Sequence, residues 1–148
     1  MNNIWKIAKI TFSLVLVLLV IYGIHLSNVN DVLTKSDECK VQNRQCKILG
    51  VWGEIRVTFA QKPVPEEELF VEFKLPDETS ISSVFIEGVY MYMGKSPVMF
   101  EDPEQRNRGV FFLGSCSEPH MQWKMTLMIE HENGNILPFA VLFDTKVS

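Results

Sequence analysis

Charge is missing where a membrane would exclude it. From Ile10 to Asn30 there is no Asp, Glu, Lys or Arg, and the centre of that interval, Phe12 to Ile24, is almost wholly apolar. About 20 helical residues cross a hydrocarbon layer roughly 30 Å thick, so residues 10–30 are expected to form a transmembrane anchor and its exit. A cleaved signal peptide is the competing reading. Its small-residue cleavage site is also missing: Tyr22-Gly23-Ile24-His25-Leu26-Ser27 offers no Ala-x-Ala-like step, and no cysteine follows closely enough for lipidation. The retained anchor is therefore favoured. Residues 1–9 carry Lys6 and Lys9 and no acid, which places the N-terminus in the cytoplasm and the remainder across the inner membrane, in the periplasm of a bacterium. Trp5 and Tyr22 suit the two interfaces, and His25, at the outer boundary, needs no role.

Other absences narrow the function. The chain has no Lys/Arg cluster, and removing Lys6 and Lys9 from its 14 basic residues leaves 12 against 18 acids, a net charge of −6. Nucleic acid and anionic lipid heads need positive surface to neutralise phosphates, so neither is an expected partner. An acidic domain is compatible with attracting a cation. There is no Cys-x-x-Cys or His-x-x-x-His pair for zinc, no phosphate-cradling glycine loop, and no catalytic carboxylate pair. Cys116 and His120 have the residue types of a nucleophile and base. They lack an orienting Asn or Asp nearby and an oxyanion-hole glycine signature, so a non-enzymatic protein is expected.

Helical period is absent outside the anchor, and what replaces it is alternation. Ile55, Val57 and Phe59 alternate with Glu54, Arg56 and Thr58, and Leu69, Val71 and Phe73 share a face of the next segment. Met121, Trp123, Met125, Leu127 and Ile129 form the clearest apolar face, and Asn133-Gly134 is a strong hairpin signal. Pro63 and Pro65 stop one run, Gly94-Lys-Ser-Pro97 another, and the mixed-sign stretch Glu101 to Arg108 reads as a solvated loop. About seven short strands with turns every 8 to 14 residues predict an all-β, immunoglobulin-like antiparallel β-sandwich over residues 39–148, joined to the anchor by a linker at 31–38. Trp52 and Trp123 read as core or intersheet residues.

Cysteines are few: Cys39, Cys46 and Cys116. In an oxidising compartment two should pair. The short loop favours Cys39 with Cys46, a bridge to Cys116 being the main rival. Cys116 is then open to three accounts: soft-metal ligand, disulfide partner, or buried inert thiol.

The richest stretch is Gly88-Val89-Tyr90-Met91-Tyr92-Met93-Gly94. Read as a strand, it places Met91 and Met93 on one face, two thioethers side by side. Extrapolated along the strand, they lie on the side of Glu87, and Tyr90 and Tyr92 on the side of Val84 and Ile86, unless a bulge near Gly88 changes the register. Thiolate and thioether select Cu(I), and imidazole suits either copper state, so Met91, Met93, Cys116 and His120 form the candidate metal set, with Met121, and then Met99 and His131, behind them. The competing account is packing. Methionine fills core gaps, which suffices for Met121 and Met125, and Tyr90, Met91, Tyr92 and Met93 together could instead be an interaction patch.

The Cys-x6-Cys start (Cys39, Cys46), the central Gly-x-x-Met-x-Met-Gly (Gly88, Met91, Met93, Gly94), a later Cys before Met-x-Trp (Cys116, Met121, Trp123) and a Pro-Phe-containing last strand (Pro138, Phe139) span nearly the whole domain. This layout resembles small, single-pass, membrane-anchored bacterial β-sandwich proteins similar in plan to the FixH and YtkA-like accessory proteins. The resemblance implies a periplasmic accessory role in copper delivery or cytochrome oxidase assembly, with a respiratory oxidase or a copper chaperone as partner. The chain has no Met-rich tail or His-rich run, as high-capacity copper storage would require.

Overall fold

The structure is a computed structural model that describes residues 13–19, 38–115 and 118–146. The chain divides into two compact units, Met1–Lys35 and Ser36–Ser148. In the first, residues 13–19 are helical with exposed side chains. The rest of the expected anchor at 10–30 lies outside the described residues, and among those described no helix is long and apolar enough to cross a membrane.

The second unit is all-β. Its strands are β1 (Glu38–Lys40), β2 (Gln45–Gly50), β3 (Gly53–Phe59), β4 (Glu68–Lys74), β5 (Thr79–Gly88), β6 (Ser96–Pro97), β7 (Met99–Phe100), β8 (Arg108–Phe112), β9 (His120–His131) and β10 (Ile136–Lys146). They form two five-stranded sheets, β1-β10-β9-β5-β6 and β2-β3-β4-β8-β7. The alternation built the expected faces. Met121, Trp123, Met125, Leu127 and Ile129 of β9 are all buried, against Ile55, Val57, Phe59, Leu69, Val71 and Phe73 in the same core. Phe59, Phe111 and Phe143 meet at its centre with ring centroids 5.1–6.3 Å apart, the tilted and edge-on geometry that aromatic quadrupoles favour.

Two sequence expectations are corrected. Ten strand segments stand where about seven were expected, among them the three-residue β1 and the two-residue β6 and β7. Ser96–Pro97 pair with β5 in one sheet and Met99–Phe100 with β8 in the other, while Val98 turns inward, 5% exposed. The pairing is also not wholly antiparallel: β1 runs parallel to β10, with Cys39 beside Val141. Pro138 lies in β10 outside Ala140–Leu142, the part of the strand that β1 pairs among the described residues. The register shift in β5 falls between Ile81 and Ser83.

Strand directions sort the loops to two ends. The turns at 41–44, 60–67 and 89–95, with residues 113–115 and 118–119 and the end of β10, lie at one; those at 51–52, 75–78, 101–107 and 132–135 lie at the other. Cys39 and Cys46 close the 41–44 turn at disulfide distance, their Cα atoms 6.2 Å apart.

Candidate functional site

The Met-x-Met stretch is a loop, which corrects its reading as strand. β5 ends at Gly88, and pairing with the chain resumes only at Ser96 opposite Ile86. The cause is local. A Cβ at residue 88 would collide with the Met91 carbonyl oxygen, so the chain doubles back over a position that only glycine leaves open. Gly94, at φ 81°, makes the second bend in the left-handed region. The expected alternation therefore fails beyond residue 88: Tyr90 and Tyr92 are 82% and 83% exposed and project outward, whereas Met91 and Met93, at 41% and 36%, lie closer to the protein.

Both feet of the loop are clamped. The Val89 N–H donates to the Gln122 carbonyl at 2.9 Å. Glu87 sits at the base, its side chain 18% exposed, with Lys124 Nζ 2.7 Å from one carboxylate oxygen and Lys95 Nζ 3.9 Å from the other. Lys95 also lies 4.4 Å over the Phe85 ring. The Lys124 hydrogen bond, helped by the charges of Lys124 and Lys95, holds the Glu87 carboxyl below its ordinary range against the opposing effect of burial.

Met93 reaches the neighbouring loop. A Cβ added to Gly114 would lie 3.2 Å from Met93 Cε, and one at Gly88 would lie 3.4 Å from Met121 Cε. The methionine loop thus abuts the segment that leads through Ser115 toward Cys116. His120 opens β9 at this same end, exposed and paired with Lys146 across the ladder. Cys116 lies outside the described residues. Of the remaining candidates, Met121 is buried, Met99 is 57% exposed on the other sheet, and His131 lies at the opposite end, its ring 5.3 Å from that of Trp52. Trp123 is a core residue as expected, its indole N–H donating to Thr145 Oγ1 at 3.0 Å. Trp52 is half-buried between His131 and Phe139. Among the described residues no three His, Cys, Asp or Glu side chains gather as a metal site.

Sequence reasoning missed the polar strip beside the loop. Lys40 Nζ lies 2.8 Å from Asp144 Oδ2, and Gln122 Nε2 donates to Asp144 Oδ1 at 3.2 Å. The Asp144 hydrogen bond and charge raise the Lys40 pKa, with a smaller contribution from the Tyr90 phenol. These residues come from three strands. The 2-residue alternation on β9 marked Gln122 and Lys124 as outward-facing, but only the β5 and β10 registers say which partners face them.

No family model, no curated protein and no solved structure matches this chain, so the site rests on its own geometry and chemistry.

Proposed function

We propose that this protein is a membrane-anchored periplasmic accessory protein that binds Cu(I) and passes it on during assembly of a respiratory oxidase. Its ligands would be Met91, Met93 and His120, with Cys116 as the thiolate. One observation carries the reading: Met93 Cε packs on Gly114, so the methionine loop and the approach to Cys116 occupy one end of the sandwich. Soft sulfur donors with an imidazole favour Cu(I) over hard cations. The clamps at Glu87 and Val89 favour a loop set in advance of the metal, which reduces the ordering cost of binding. The net acidity of the domain supports attraction of a cation.

The sandwich is proposed to be immunoglobulin-like. Strand order supports this: β4-β8-β7 in one sheet and β10-β9-β5-β6 in the other follow the B-E-D and G-F-C-C′ orders of that plan. On that correspondence the methionine loop is the C–C′ connection.

The exposure of Tyr90 and Tyr92 favours a second reading, in which the loop is a docking patch for a protein of the membrane complex and metal is not involved. Competition titration of the detergent-solubilised full chain against a Cu(I) chelator separates the two. Met91→Leu/Met93→Leu is expected to lose at least about tenfold in affinity, which corresponds to about 1.4 kcal/mol. If that variant and the wild type compete equally poorly, the copper reading is gone. A partner then retained under chelation and lost on Tyr92→Ala would establish the docking reading.

A further inference from the structure

Met99 and Phe112 apart, the exposed large apolar side chains of the sandwich collect at two places among the described residues. One is the 89–93 stretch already described. The other is the tip of the β2–β3 hairpin, where Leu49 near the end of β2 is 82% exposed and Val51 in the turn 69%, with Ile136 of β10 46% exposed at the same end. Scattered apolar residues on a surface need no account. A tight turn is different, because Gly, Asn and Asp serve it best, and here Leu49-Gly50-Val51-Trp52-Gly53 holds three apolar residues and no charge.

The tip is rigidly mounted. Gly50 lies against Phe139, where a Cβ would come 2.7 Å from the ring, and Trp52 packs between Phe139 and His131 with centroids 6.4 and 5.3 Å away. Leu49 and Val51 project from this base without collapsing on it.

We propose that the β2–β3 tip inserts into the headgroup boundary of a lipid bilayer, with Leu49 and Val51 as the apolar wedge and Trp52 at the interface. The occupant follows from the path of the chain. β1 runs parallel to β10 with Glu38 beside Ala140, and β10 begins at Ile136, so the polypeptide enters the sandwich from the end that carries the tip. Seven residues, 31–37, separate the apolar interval 10–30 from β1, and seven residues span at most about 25 Å. The proposal rests on the reading of 10–30 as an anchor. Tethering makes insertion intramolecular, so a small wedge suffices where a free domain would need a larger one. Trp beside aliphatic residues is the composition of a membrane–water interface.

Charge sets the kind of contact. Glu54 faces Leu49 across the β2–β3 ladder, and the Glu78 carboxylate is 3.8 Å from Nε2 of His131, whose ring lies 5.3 Å from that of Trp52, so carboxylates flank the tip. An anionic surface therefore adds no attraction, and the contact is apolar.

The test is tryptophan quenching with the full chain in vesicles of brominated phosphatidylcholine. Trp5 and Trp123 form a constant background, so the quenching due to Trp52 is the difference between wild type and Trp52→Phe. Leu49→Ser/Val51→Ser changes only exposed side chains and should keep the near-UV circular dichroism of the wild type. In that variant the Trp52 quenching should fall by more than about half, and anionic lipid should not increase it in the wild type. No Trp52 quenching in the wild type, or equal quenching in the serine variant, overturns the proposal. So does a serine variant that converts a dimer to monomer without altering the quenching, since the tip would then contact a second copy. Release of the chain by alkaline carbonate removes the anchor reading and this proposal together; retention without quenching removes this proposal alone.

Discussion

Thr145 is the buried polar side chain of the sandwich among the described residues, and it is buried because Trp123 has an indole N–H to satisfy. Thr145→Val keeps the shape and removes the acceptor, leaving that donor unpaired in the core. It should cost about 1–3 kcal/mol by denaturant unfolding, while Thr145→Ser, which keeps the hydroxyl, should cost less. Glu87 makes a pH-dependent contribution. Its folded-state pKa is held below the ordinary value of 4.5, chiefly by the Lys124 hydrogen bond. Its stabilisation is therefore present above about pH 4.5 and is lost as the pH falls through the lower folded-state pKa. The melting temperature of wild type should exceed that of Glu87→Gln at pH 7, and the gap should close below pH 4.5; a gap constant across that window would mean the ion pairs contribute nothing.

At the scale of elements, the 89–95 loop depends on Gly88. Gly88→Ala places a methyl group against the Met91 carbonyl, which is backbone and cannot swing away, so the turn itself must shift. The expected outcome is loss of Cu(I) affinity with β9 intact, read as reduced competition for the metal with an unchanged far-UV spectrum. This loop also marks where the sequence stopped being legible. Alternation identified β3, β4 and β9 with their inward faces because each has one face against the core, and a period of two then determines every side chain. Beyond Gly88 no core face constrains the chain. The alternation of Tyr and Met continued in the sequence without a ladder beneath it, and the tyrosines it assigned to the core side are the most exposed residues of the loop. The sheet switch at Val98 was hidden for a related reason. One buried valine between two dipeptides carries no period, and only the partners Phe85 and Val110 reveal two sheets. The parallel β1 pairing likewise depends on a strand a hundred residues away.

For the whole molecule, two apolar sites lie at opposite ends of one sandwich, and the strands between them form a packed core. The bulge at Ser82 is fastened from outside by Arg106, whose guanidinium donates to the Ile81 carbonyl at 3.0 Å and to that of Ser82, and rests 5.6 Å from the Phe100 ring. That strap ties the 101–107 loop, which composition marked only as solvated, to the sheet that carries both Glu87 and Gly88. A stiff platform of this kind is what a preorganised metal loop needs, since every degree of freedom frozen on folding is one not frozen on binding. Alternation made the all-β class legible. The approach of Met93 to Gly114 was beyond it, because 20 intervening residues and a change of sheet separate them.

X-ray absorption at the copper edge on the Cu(I)-loaded full chain tests the central claim most directly. A first shell dominated by sulfur, which loses sulfur in Met91→Leu/Met93→Leu, is the expected result. A shell of nitrogen and oxygen alone, or one identical in wild type and variant, would contradict the assignment of the methionine loop as the metal site.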